Sequence, residues 1–154
     1  MKVQTSVPPR WLLKLSSKIH VYLYRRTLGR VWNSMNGLPV LLLTTTGRKT
    51  GNPHTVPVVF LKDGLNHVIA PGILERPAWY LNLIANPHGS IQIGRSSSQF
   101  EAAVADREER HRLWPMVPAY WEAYRKNAWE ELPLVILKLL EREDRIVHGQ
   151  ARPL

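Results

Sequence analysis

The stretch from Leu41 to Asn52, L-L-L-T-T-T-G-R-K-T-G-N, restricts the fold of this chain more than any other. A β-favouring apolar run (Val40 to Leu43) passes through three threonines and stops at Gly47. After Gly51 comes Asn52-Pro53, and Thr55 to Leu61 reads as a returning strand. The two glycines allow positive φ and a tight reversal, so the stretch is a hairpin tip and the fold contains an antiparallel sheet. Between them stand Arg48, Lys49 and Thr50, two cations and a hydroxyl, with backbone N–H groups expected to point outward. That combination suits an oxyanion such as phosphate. It is not a P-loop, which needs four residues between its glycines and a Lys-Ser/Thr opening a helix. Taken alone, the motif is equally a solvated basic turn.

The same hairpin lies in a strongly asymmetric charge distribution. Residues 1–62 contain no Asp or Glu and carry ten of the 21 Lys and Arg, in a chain of net charge +9. The positive field of the first third implies an anionic partner: a phosphorylated cofactor, nucleic acid or an anionic membrane surface. The chain has no cysteine, which excludes disulfides, thiolate metal sites and a thiol nucleophile and fits a reducing, cytoplasmic setting. Its six histidines are scattered without metal-ligand spacing, so no metal is expected.

Upstream of the hairpin, the segment from Arg10 to about Thr27 has helical periodicity. Trp11, Leu12, Leu15, Ile19, Tyr22 and Leu23 share one arc at 100° per residue, beside Arg10, Lys14, Lys18 and Arg25. Charge interrupts it too often for a bilayer span or a signal peptide. It either packs its apolar arc on the domain or lies on an anionic membrane through residues 10–26, peripheral on the inner face of the cell membrane. Gly29, Asn33, Asn36 and Gly37 then read as a loop or short turn.

Downstream, Lys62-Asp63-Gly64-Leu65 reads as a turn and Asn66 to Ala70 as a third strand. Pro77 suits the first position of a short helix, Ala78 to Ala85, stopped by Asn86-Pro87. Ser90 to Gly94 and Gln99 to Ala105 are strands across a polar turn. Asp106 with Glu109 forms a capping-box pattern opening a helix that Pro115 and Pro118 interrupt, with a second piece over residues 119–126. Leu134 to Leu140 is a last strand. Six strands with inserted helices and no βαβ alternation predict an α+β domain, a small antiparallel barrel that hides its edges. The organisation expected is a basic helix and linker over residues 1–37, the barrel over 38–142 and a polar tail over 143–154.

T-T-T-G-R-K-T-G, then V-P-V-V-F-L-K-D-G, then P-A-W-Y-L-N-L-I-A-N-P resembles the deazaflavin-dependent nitroreductase family, over about residues 19–137. The resemblance implies a split β-barrel, similar to flavin-mononucleotide-binding reductases, that uses the 5-deazaflavin coenzyme F420 rather than FMN. It implies that Arg48, Lys49, Thr50 and Gly51 bind the phosphodiester and glutamyl tail, with His54 following where relatives commonly carry Arg. It places Pro77, Ala78 and Trp79 beside the deazaflavin ring and phosphate, which suits a helix N-terminus. The loop from Pro71 to Arg76 is shorter than in relatives and lacks their lysine, for which Arg76 is the substitute. On the substrate side, positions where the nitroreducing relative has tyrosines correspond to Val59, Trp121, Tyr124 and Asn127.

These departures point away from nitro reduction and toward hydride transfer to a flat apolar acceptor such as a quinone or enone. Hydride transfer needs positioning and a dry pocket more than side-chain chemistry, so no catalytic residue is assigned. Two other classes stay in view. One is a non-catalytic cofactor- or lipid-binding protein of the same fold. The other, nucleic-acid binding, is disfavoured because no stacking platform accompanies the basic residues. A monomer and a dimer are equally compatible with the chain.

Overall fold

The computed structural model describes residues 8–72, 76–122 and 131–140. Strand β2 (Leu38–Thr46) pairs with β3 (Pro53–Val59) from Thr46 opposite Pro53 to Val40 opposite Val59. One residue later, at Phe60, the chain changes partners. It continues as β4 (Leu61–Asp63), which pairs with β5 (Asn66–Ile69) instead. From β2 the sheet runs the other way through β6 (His88–Ile93), β7 (Ser96–Val104) and β8 (Val135–Leu139) to β5. Among the described residues every pairing is antiparallel. The two ends of the sheet are therefore held on one bent segment, Pro53–Asp63, and the sheet curls into a split barrel.

The expected strand from Thr55 to Leu61 is thus two strands. Phe60 sits in the core and its N–H bonds to the Pro39 carbonyl at 3.1 Å, which pins the bend. Lys62 and Asp63, expected in a turn, extend β4, and the turn shrinks to Gly64 and Leu65, with Gly64 at φ 59°. A short β1 (Ser34–Met35) folds back on Leu38 and Pro39 across Asn36-Gly37. Their φ values of 51° and 78° are those of a tight hairpin, for which Asn-Gly is the strongest short signal. Residues 34–35 therefore belong to the sheet rather than to a linker.

Period-two alternation separates two cores. Leu41, Leu43, Ile69, Ile91, Phe100, Val135 and Leu137 fill the barrel with Trp79 and Leu83 from helix α2 (Ala78–Ala85). Val68, Leu134 and Ile136 face the other way, against Leu113 of α3 (Arg107–Leu113) and Trp121 of α4 (Ala119–Glu122). The capping box forms as expected. Asp106 Oδ1 accepts the Glu109 N–H at 2.8 Å, and Glu109 Oε2 accepts the Asp106 N–H at 3.2 Å. Pro115 falls in a single 3-10 turn (Trp114–Met116) separating α3 from α4. Arg112 clamps Asp63 with two bonds of 2.9 Å, holding that carboxyl below its ordinary range through the hydrogen bond.

Helix α1 (Arg10–Arg26) occupies the expected range. It buries His20 and Tyr24, residues outside the predicted arc. Trp11, Leu15, Ile19 and Tyr22 stay exposed, Trp11 at 67% and Tyr22 at 61%. Among the described residues no helix is long and apolar enough to cross a membrane.

Candidate coenzyme site

The tip between β2 and β3 is closed by its own backbone. Gly47 N–H donates to the Asn52 carbonyl and Gly51 N–H to the Gly47 carbonyl, each at 2.8 Å, and Asn52 N–H donates to Thr50 Oγ1 at 3.2 Å. Gly51 has φ 72°, which a side chain would strain. The Arg48 N–H donates to Asn82 Oδ1 at 3.2 Å. So the tip's amides do not all point outward. Those of Gly47, Arg48, Gly51 and Asn52 hold the turn. Among the described residues, Lys49 and Thr50 keep N–H groups with no protein acceptor. The Lys49 side chain is exposed, and the salt bridges among the described residues do not include it. The His54 ring lies over Gly47, where an added Cβ would stand 2.7 Å from Nε2.

Helix α2 packs directly on β2 beside this tip. Pro77, expected at the first helical position, is instead the N-cap, extended at φ −64° and ψ 147°. Proline offers no side-chain cap, and the first turn has no acid. Tyr80 and Leu81 N–H groups turn back to the Pro77 carbonyl at 3.0 and 3.3 Å. The first two helical amides, of Ala78 and Trp79, have no acceptor within the helix. Arg76 is exposed at the same end, and its charge acts on the Tyr80 hydroxyl, whose pKa burial pushes up against that pull.

The basic tip and the start of α2 are linked through one buried side chain. Asn82, 2% exposed on α2, accepts from both the Arg48 N–H and Arg48 Nη1 at 3.2 Å, and donates through Nδ2 to Thr45 Oγ1 at 3.1 Å. On the other side of the hairpin, Arg25 Nη2 donates to Thr55 Oγ1 at 3.2 Å, and Thr55 shares a 2.8 Å bond with Thr44 Oγ1, so α1 is tied to the same two strands. Free amides, two exposed cations and an uncapped helix start are a donor set that fits a phosphorylated coenzyme.

Several expectations change here. The Trp79 indole is 8% exposed and belongs to the barrel core, because its position on α2 faces the sheet; only its main-chain N–H remains at the helix start. Trp121 is 1% exposed in the second core, with half-buried Val59 packed against the same cluster. Both lie on this one cluster, where Trp121 packs α4 onto the sheet. Tyr124 and Asn127 lie outside the described residues. Sequence reasoning missed Asn82. The available signal was an amide placed next to Leu83 and three residues after Trp79 on a helix otherwise apolar, since a buried amide needs partners.

A family model described as F420H(2)-dependent quinone reductase matches residues 16–138. The chain belongs to that family. Two Mycobacterium tuberculosis relatives agree. One, provisionally named an F420H(2)-dependent quinone reductase, is 38% identical over 66% of this chain and 90% of its own length. Another, an F420H(2)-dependent quinone reductase, is 32% identical over 78% and 87%. Among solved structures, an F420-H2 dependent reductase superposes with a TM-score of 0.56 at 28% identity, covering 65% of this chain and 94% of the other. A second, a domain-swapped dimer, gives a TM-score of 0.57 at 26% identity over 83% and 97%. The split barrel and F420 dependence that the resemblance implied are those of the family, and its acceptor is a quinone.

Proposed function

We infer that this chain transfers a hydride from reduced F420 to a quinone, and that Arg48, Lys49, Thr50 and Gly51 of the tip, with Arg76 and the Pro77–Trp79 backbone at the start of α2, hold the coenzyme's phosphodiester. His54, over Gly47, flanks the same anion. The observation that carries this placement is the Arg48–Asn82 contact, which sets the cationic tip against an uncapped helix N-terminus. The coenzyme, when bound, supplies the hydride; the chain supplies charge, orientation and an apolar barrel interior. Titration with the coenzyme, followed by its own absorbance and fluorescence, tests the placement. Loss of one charge-assisted hydrogen bond in Lys49→Ala weakens binding by about 1.5–3 kcal/mol. Unchanged affinity in Arg48→Ala, Lys49→Ala and the double variant removes it.

A second reading concerns where the acceptor is met. Trp11, Leu15, Ile19 and Tyr22 form an exposed apolar arc flanked by Arg10, Lys14 and Lys18, with Leu28, Val31, Trp32 and Met35 also exposed beyond the helix. An anionic membrane matches both parts of that surface, with cations toward headgroups and aromatics at the interface. A peripheral reductase on the inner face of the cell membrane reaches a membrane-soluble quinone directly.

A further inference from the structure

Asn82 is the neutral acceptor on which the basic tip is mounted. We propose that it is a positioning residue for coenzyme binding, and that its lack of charge is the property that matters. This inference rests on the tip being the phosphodiester site. Arg48 offers two donors to one point, its main-chain N–H and its guanidinium Nη1, both 3.2 Å from Asn82 Oδ1. Both are donors only, so the amide oxygen must face them, and Nδ2 is committed to Thr45 Oγ1. The amide therefore has one orientation. It fixes Arg48 relative to α2, to the end of β2 and to the uncapped start of α2, less than two helical turns away.

An acceptor is needed here because Arg48 N–H points into the protein. A carboxylate would serve that geometry as well as an amide, and Thr45 Oγ1 can donate to its second oxygen. Yet a carboxylate 3.2 Å from a guanidinium largely cancels its charge, and the tip would then present Lys49 alone to a phosphate. An asparagine orients the cation while leaving its field intact. With Oδ1 and Nδ2 both committed to protein groups, Asn82 acts through Arg48.

The isosteric change Asn82→Asp separates charge from shape. Wild-type and variant proteins are titrated with F420 and with the deazaflavin chromophore lacking the phosphodiester and glutamyl tail, and thermal unfolding is followed alongside. Asn82→Asp is expected to weaken F420 at least tenfold and to flatten the salt dependence of its binding, with the tail-less chromophore unaffected. Asn82→Ala, which frees Arg48 without neutralising it, is expected to weaken F420 by a smaller factor. That factor shrinks in an Arg48→Ala background, where only the main-chain N–H of residue 48 is left for the amide to hold. Wild-type F420 affinity in Asn82→Asp overturns the proposal, as does equal loss of both ligands, which marks a merely structural residue. If Arg48→Ala and Lys49→Ala also bind normally, the tip itself is not the phosphate site. If they weaken binding while both Asn82 variants do not, only the positioning role fails.

Discussion

The Tyr24 hydroxyl accepts the Gly94 N–H at 3.0 Å, joining α1 to the β6–β7 turn across 70 residues of sequence. The same oxygen donates to the Val40 carbonyl at 3.1 Å. Gly29 packs so closely on this junction that a Cβ would stand 2.8 Å from Gly94 Cα. One face of α1 is therefore part of the fold, whatever the opposite face meets. Tyr24→Phe leaves a buried carbonyl and a part-buried N–H without this partner, and is expected to cost about 1–3 kcal/mol. Urea unfolding measures it, and a midpoint unchanged from wild type shows that α1 is only loosely seated.

The pH dependence of stability is expected to have a contribution from His67. Burial against Phe60 is the main cause lowering its pKa from 6.5, and the Lys62 charge adds to it. The unfolded chain takes up this proton near pH 6.5, whereas the folded protein does so only at lower pH. Stability is therefore lost as pH falls below about 6.5 toward the folded value, and regained as it rises. His67→Leu flattens the change in unfolding midpoint between pH 7.5 and 5.5. An unaltered profile places the titration elsewhere.

Membrane docking is tested without touching the buried face of α1. Replacing Trp11, Leu15, Ile19 and Tyr22 with Ser or Gln leaves His20 and Tyr24 in place, so the fold is kept. Wild-type protein is expected to sediment with anionic but not neutral vesicles, and to be released as the Debye length falls from about 10 Å at 0.1 M salt to about 3 Å at 1 M. Each cation near the surface contributes about 1 kcal/mol. The variant stays in the supernatant. A wild-type protein that ignores anionic vesicles at low salt leaves the arc to another partner.

Acceptor preference is expected to depend on the side chain at position 59. Val59 offers no hydroxyl to orient or protonate a nitro group, and it packs against an apolar cluster. Steady-state turnover with F420 in reduced form is expected to be at least tenfold faster on a menadione-like quinone than on a nitroimidazole, a difference of about 1.4 kcal/mol in barrier. Faster nitroimidazole reduction contradicts the assignment.

Much of this molecule is determined by short stretches of its own chain. The G-R-K-T-G turn, the range of α1, the Asp106–Glu109 capping box and the alternation of Val135, Ile136 and Leu137 between two cores all follow from residues within a turn or two of each other. Such features depend on backbone freedom, capping and periodicity, which neighbours in sequence set. What no local rule supplies is the choice of distant partners. The bend at Phe60, where a single apparent strand leaves β2 for β5, exists because the sheet has to curl and share its ends. Trp79 and Trp121 are buried for the same reason: α2 and α4 press those faces onto opposite sides of the sheet. Asn82 meets Arg48 across 34 residues only once β2 and α2 have packed. The apolar arc of α1 was legible as an arc, but its exposure was decided by Tyr24 and His20, polar-tipped side chains whose hydrogen bonds to Val40, Gly94 and Trp32 turned the other face of the helix inward.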